Sequence, residues 1–116
     1  MHALLICNDP PYGTERTYNG MRHAIALSAR GDVEVRVFLM ADATLAGKAG
    51  QKVPDGYYHL ERMLGAALRR GAEIGACGTC MDARGLTESE LIDGVHRSSM
   101  EQLTEWTLWA DKVIVY

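Results

Sequence analysis

Two thiols three residues apart give the strongest chemical signal in this sequence. Cys77 and Cys80 flank Gly78-Thr79, after a strand-like segment and before Arg84. A cysteine reacts as its thiolate, and the pKa of a thiol falls near a cation or at a helix N-terminus. If residues 78–83 form a helical turn, Cys77 stands at its positive end and is the better nucleophile. The pattern therefore predicts sulfur chemistry, with Cys77 held as an anion in an open pocket.

Alternative roles for the two thiols stay open. Cys80 would lie about one turn beyond Cys77, close enough to attack a sulfur atom carried there. The spacing resembles a thioredoxin-like dithiol, but Pro10, Pro11 and Pro54 all precede the motif, whereas such proteins place a cis-proline after it. A zinc site lacks a second pair of ligands at metal-site spacing, so no metal is predicted. Two buried or incidental thiols are the remaining alternative.

Composition limits the classes of partner and compartment. The net charge of -3 and the lack of a lysine and arginine cluster argue against direct binding to nucleic acid or to an anionic membrane. No apolar run approaches the roughly 20 residues that a membrane span needs. Three cysteines, an odd number, do not suggest a disulfide scaffold. We expect a cytoplasmic protein with reduced thiols, in which Cys7 is a buried strand residue.

Strand-like and helix-like segments alternate along the chain. Apolar or β-branched runs predict strands at 3–7, 33–40, 73–76, 95–98 and 112–116. Helical spacing and capping patterns predict helices at 14–30, 58–70, 78–83, 87–93 and 99–110. The glycine-containing segment 41–56 is expected to be a long loop, of the kind used as lids or interfaces. This order predicts a single α/β domain over 1–116, with a three-layer α/β/α Rossmann-like fold and a five-stranded, mainly parallel sheet.

Two loops are candidates for the site, because ligands bind beyond the carboxyl ends of parallel strands. One loop spans residues 8–13 and the other residues 77–85. Two roles are open to Tyr12, contact with the thiols from the first loop and ordinary packing of the turn. Gly85 is expected to permit a left-handed helix end. Trp106 is expected in the core. Trp109, Tyr57 and Tyr58 are interface candidates.

The order of these motifs resembles a known family. Pro11-Tyr12-Gly13-Thr14 follows the first strand, Cys77 stands seven residues before Arg84-Gly85, and the chain ends in Ala110-Asp111-Lys112-Val113-Ile114-Val115-Tyr116. Together they resemble the DsrE/DsrF-like sulfur-relay proteins, above all the DsrE and TusD types, across essentially the whole chain.

The resemblance implies a Rossmann-like fold, assembly into trimers or hexamers, and no bound organic cofactor. It also implies a cysteine that accepts sulfane sulfur as a persulfide and passes it to another protein, in tRNA thiolation or sulfur oxidation. Matching spacing assigns that role to Cys77, with Arg84 beside it. The substrate contacts are then predicted at Tyr12, Gly13, Gly78 and Gly85.

The sequence departs from the family pattern at two positions. Cys80 stands where a small apolar residue is usual, and Ala83 replaces the first basic residue of an Arg-Arg-Gly run. Cys80 would shorten the life of a Cys77 persulfide by expelling sulfide. The leading hypothesis is a sulfur carrier or sulfurtransferase in which Cys80 resolves or modulates the persulfide. The alternatives are a dithiol redox sensor or reductase and a non-catalytic assembly module.

Overall fold

Five strands form a sheet in a computed structural model that describes residues 1–54 and 56–116. They are β1 (His2–Cys7), β2 (Glu34–Leu39), β3 (Glu73–Cys77), β4 (Val95–Ser98) and β5 (Lys112–Val115). Their order across the sheet is β4-β3-β2-β1-β5, and each neighbouring pair is parallel. The predicted α/β class with a five-stranded, mainly parallel sheet is confirmed.

Helices cover both faces of the sheet. They are α1 (Arg16–Ser28), α2 (Leu60–Arg69), α3 (Gly78–Ala83) and α4 (Met100–Trp109). Because side chains alternate along a strand, β1 and β2 contribute residues to two separate apolar layers. One layer combines Leu5 and Val37 with α1, α2 and α3, and the other combines Leu4 and Phe38 with α4. The predicted three-layer architecture is therefore confirmed.

Local capping explains several of the helix ends. The hydroxyl of Ser99 accepts the N–H of Gln102 at 3.1 Å and starts α4. Thr87 and Glu90 form the predicted capping box, although the turn that follows, Glu88–Glu90, is a 3-10 helix. The helix predicted over 14–30 starts later than expected, and Thr14 does not cap it. Its hydroxyl donates to the Asp9 carboxylate at 2.9 Å, and the helix begins at Arg16.

The segment predicted as a long loop is partly regular. Residues Ala41–Gly47 form a 3-10 helix after β2, with Ala43, Thr44 and Ala46 buried against the sheet. The hydroxyl of Thr44 donates to the carbonyl of Ala41 at 2.8 Å, which satisfies a buried polar group locally. The expectation of a loop without regular structure is therefore wrong for 41–47. Residue 55 lies outside the described residues.

The outer side of α4 differs from its predicted pattern. Leu103 and Trp106 are buried as expected, but Met100 is 60% exposed although helical spacing predicts it on the same stripe. Met100 begins the helix and extends beyond the edge of the apolar layer.

None of the described helices has the length and apolar character needed to cross a membrane.

Candidate functional site

Cys77 lies where β3 ends and α3 begins. Ile74 and Ala76 pack on the face of α1 and α2, so alternation turns Cys77 toward the α4 face. There it joins the apolar cluster of Phe38 and Trp106 and is only 5% exposed. The helical turn predicted after Cys77 is confirmed, but the predicted open pocket is wrong. The solvent-accessible side of the motif is the side of Cys80, which is partly exposed.

Hydrogen bonds at Cys77 favour its charged form. Burial raises the pKa of its thiol, but donors around the sulfur outweigh burial and hold the pKa below the ordinary value of 9.0. These donors are the Thr79 hydroxyl, whose oxygen lies 3.3 Å from Cys77 Sγ, the Cys80 thiol, and the backbone N–H groups of Cys80 and Thr79. A thiolate that accepts several hydrogen bonds is stabilised relative to the thiol. Cys77 is therefore the more acidic thiol of the pair.

Cys80 has the opposite character. Burial and the hydrogen bond to Cys77 raise the pKa of its thiol, although the Ala41 backbone N–H and the Arg84 charge act in the other direction. The net shift is upward, so Cys80 is the less acidic thiol of the pair. Cys80 is also the more exposed of the two. The pair thus combines a buried thiol of lowered pKa with a more exposed thiol of raised pKa.

Arg84 is directed toward Cys80 and not toward Cys77. Its Nε donates to Asp42 Oδ1 at 2.8 Å, and its Nη1 donates to the Cys80 carbonyl at 3.0 Å. The resemblance places Arg84 beside Cys77, whereas the structure shows it in contact with Asp42 and with its own helix. Its charge therefore acts on the second thiol of the pair.

Arg97, which sequence reasoning did not assign to the site, lies beside Cys77. It donates to both carboxylate oxygens of Asp82, at 2.8 and 3.0 Å. A Cβ atom on Gly78 would lie 2.8 Å from the Nε of Arg97, so only glycine leaves this guanidinium its present place. Asp82 raises the pKa of Arg97, and the charge of Cys77 adds to that effect. Arg97 is thus a cation that is paired with Asp82 and lies against Gly78, the residue that follows Cys77.

The two predicted contacts from the first loop lie elsewhere. Tyr12 and Gly13 line an open cavity of about 560 Å³. Its other walls are Thr14, Glu15, Val53, Pro54, Tyr57 and Tyr58. Neither thiol lines this cavity, so the structure does not join these two positions to Cys77. Gly85, with φ +64, ends α3 in the expected left-handed conformation.

The third thiol, Cys7, is fully buried in the layer between the sheet and α1. Burial raises its pKa to about 12, so this thiol stays protonated and unreactive at neutral pH. The prediction of a buried strand residue is confirmed.

Within 1–54 and 56–116, no three histidine, cysteine or acidic side chains gather into a group that could hold a metal ion.

Comparison with known proteins identifies the family of this chain. The sequence profile of the DsrE/DsrF-like family matches residues 1–116. The chain belongs to the DsrE/DsrF-like family. This family is related to sulfur relay. The resemblance inferred from the motifs is confirmed.

Relatives in the DsrE/DsrF-like family align with nearly the whole chain. Protein YchN of Escherichia coli strain K12 is 40% identical over 114 residues, which are 97% of each chain. The uncharacterized protein MK0008 of Methanopyrus kandleri is 38% identical over 112 residues, covering 97% of this chain and 91% of that one. Both therefore support membership of the family.

Solved structures agree with the fold. The crystal structure of the Escherichia coli YchN protein matches with a TM-score of 0.93 at 38% identity, covering 100% of this chain and 99% of that chain. Protein MTH1491 from Methanobacterium thermoautotrophicum, of unknown function, matches with a TM-score of 0.75 at 14% identity. That alignment covers 99% of this chain and 97% of the other and shows the fold alone.

Proposed function

We propose that this chain, acting as one domain, is a sulfur carrier or sulfurtransferase. The Cys77 thiolate attacks the outer sulfur of a sulfane donor, holds that sulfur as a persulfide, and releases it to an acceptor thiol of another protein. The atoms balance without a redox cofactor, because the donor leaves with the electron pair of the broken bond. Sulfur-donor and sulfur-acceptor proteins are the partners that this chemistry requires.

The observation that carries the proposal is the split between the two thiols. Cys77 accepts hydrogen bonds from Thr79 and Cys80, and these favour its charged form despite burial. A persulfide anion on Cys77 would use the same donors, with the Arg97 charge nearby. The apolar cluster around the sulfur limits access of water. Membership of a family related to sulfur relay adds independent support.

A mass measurement tests the carrier. The protein is mixed with a sulfurtransferase that carries a persulfide, and the intact chain is then weighed. We expect Cys80→Ser to gain the mass of one sulfur atom, because it keeps Cys77 and lacks the thiol that would remove the sulfur. The matched variant Cys77→Ser should gain none. A gain on Cys77→Ser, or none on Cys80→Ser, contradicts the proposed role of Cys77.

A dithiol redox sensor or reductase is a second candidate, and the hydrogen bond between Cys77 and Cys80 favours it. In that function the two thiols close a disulfide under oxidation without ever carrying sulfur. The wild-type chain would then lose two hydrogen atoms, and Cys80→Ser would show no added sulfur. The persulfide on Cys80→Ser therefore separates the two functions.

We further propose that the chain is cytoplasmic and forms a homo-oligomer, as a trimer or hexamer. Apolar side chains remain exposed on the α4 side of the molecule: Leu108 is 83% exposed, Val115 64% and Val113 44%. Such a patch marks an interface in many proteins. Light scattering should give three or six times the chain mass for the wild type and a lower mass for Leu108→Glu. A monomeric wild type contradicts this proposal.

A further inference from the structure

The two site thiols lie at the start of α3 and differ in access. The Cys80 thiol contributes to the lowered pKa of Cys77. They are one helical turn apart, a spacing that falls within the range of a disulfide without large backbone movement. Cys80 is partly exposed, whereas Cys77 is 5% exposed. A sulfur atom added to Cys77 would therefore stay within reach of a second thiol.

We propose that the protein also reduces the sulfur it carries, releasing it as sulfide through attack of Cys80 on the Cys77 persulfide. This activity rests on the proposed function, because it needs the persulfide as its substrate. It extends the carrier role to a reaction that requires no acceptor protein. The same site then has two outlets for sulfur, transfer and release.

The release step balances within the site. The proton of the Cys80 thiol passes to the outer sulfur of the persulfide, and the Cys80 sulfur attacks Cys77 Sγ. The bond between Cys77 Sγ and the outer sulfur breaks, and the outer sulfur leaves as hydrosulfide with the electron pair. It has gained two electrons, and the two cysteine sulfurs have lost two by forming a disulfide. The persulfide itself is the oxidant, so the step needs no other.

The contacts around Cys80 suit this role. Burial, the hydrogen bond to Cys77 and the charge of the Cys77 thiolate raise the pKa of the Cys80 thiol. Cys80 therefore keeps its proton while Cys77 is a thiolate, and it becomes a nucleophile only when that proton leaves. Arg84 Nη1 is bound to the Cys80 carbonyl, which holds the arginine charge near the sulfur that becomes anionic as its proton leaves. An attack between groups one helical turn apart gains from proximity relative to any thiol in solution. Release is therefore expected whenever no acceptor is bound.

Regeneration requires a dithiol reductant, and the structure indicates which sulfur it attacks. In a disulfide, the more accessible sulfur is attacked, and the thiol of lower pKa leaves faster. Cys80 is the more exposed sulfur, and Cys77 has the lowered pKa. The reductant therefore forms its mixed disulfide with Cys80 and releases Cys77 as the thiolate. Its second thiol then frees Cys80, and the net reaction converts sulfane sulfur and a dithiol into sulfide and a disulfide.

The first test measures sulfide and intact mass together. Wild type and Cys80→Ser are charged anaerobically by the persulfide form of a single-cysteine sulfurtransferase, which returns to its thiol and releases no sulfide itself. We expect wild type to release one equivalent of sulfide for each disulfide formed. Cys80→Ser should keep its sulfur and release sulfide only after dithiothreitol is added. Circular dichroism confirms that both proteins are folded.

The outcomes separate this proposal from the carrier function. If wild type and Cys80→Ser both keep the sulfur without releasing sulfide, the release activity is overturned and the carrier stands. If Cys80→Ser takes up no sulfur, the carrier itself fails. Sulfide from Cys80→Ser without a reductant would show that Cys80 is not the attacking group.

A second test addresses the point of attack in regeneration. The oxidised wild-type protein is treated with glutathione, and free thiols are then blocked with iodoacetamide. Fragmentation of the peptide should place glutathione on Cys80 and the blocking group on Cys77. The reverse assignment would overturn the proposed direction of reduction.

Discussion

Replacing Trp106 with alanine is expected to lower the free energy of unfolding by about 3–5 kcal/mol, the usual cost of removing a large buried aromatic side chain. Trp106 is 3% exposed and meets the Phe38 ring edge-on, with centroids 6.0 Å apart. Gly75 leaves room for it, because a Cβ there would lie 3.2 Å from the indole. Urea denaturation at constant protein concentration measures the change.

A control outside α4 is Arg62→Ala, an exposed position of α2 whose replacement should change the free energy of unfolding by no more than about 0.5 kcal/mol. The Trp106 variant should also expose Cys77, which belongs to the same apolar cluster. Equal stability of the two variants would contradict the assignment of Trp106 as the centre of the layer between the sheet and α4.

Much of the fold is predictable because its signals are local. Cys77 ends a short apolar run and is followed by a glycine, and the predicted helix over 78–83 has the observed bounds. The capping patterns at Thr87 and Ser99 involve contacts within three residues, so spacing alone predicts them. Parallel order follows from the alternation of strands and helices, since each crossover must carry a helix.

The predictions that failed depend on contacts between distant parts of the chain. Threonine is a common N-cap residue, yet the hydroxyl of Thr14 donates to the Asp9 carboxylate across the loop. The burial of Ala43 within 41–47 depends on packing against the sheet. In both places a tertiary contact outweighs the local conformational preference of the sequence. A short sequence pattern cannot reveal such a contact.

The composition of the site depends on the strand order in the same way. β4 is the neighbour of β3 and pairs Arg97 with Ala76, so the Arg97 guanidinium reaches Gly78, next to Cys77, although Arg97 is far away in sequence. Tyr12 follows β1, which is separated from β3 by β2, and this spacing of about 10 Å keeps it away from the thiols. The cysteines are recognisable from their spacing. Arg97 is not recognisable in this way. An arginine in a short strand indicates no function until the position of that strand in the sheet is known.

Replacing Thr79 with valine is expected to slow the alkylation of Cys77 about tenfold at neutral pH, because a hydrogen bond to a charged group is worth about 1.5 kcal/mol. The Thr79 oxygen lies 3.3 Å from Cys77 Sγ, and its hydroxyl lowers the pKa of that thiol. Valine keeps the shape of threonine and removes the donor. The thiolate is the reactive form and predominates above the pKa of the thiol. Raising the pKa therefore lowers the alkylation rate at pH values below the new pKa, and it leaves the rate at high pH unchanged.

The measurement is a pH profile of the iodoacetamide reaction in a Cys80→Ser background. Cys7 does not interfere, because burial raises its pKa to about 12. Thr79→Ser is the control, since it keeps the hydroxyl and should keep a profile close to that of the parent. An unchanged profile in Thr79→Val would mean that the hydroxyl accepts a proton from Cys77 instead of donating one, and the thiol would then depend on backbone N–H groups and Arg97 for its charge. Equal slowing in both variants would instead indicate that the methyl group of threonine positions the turn.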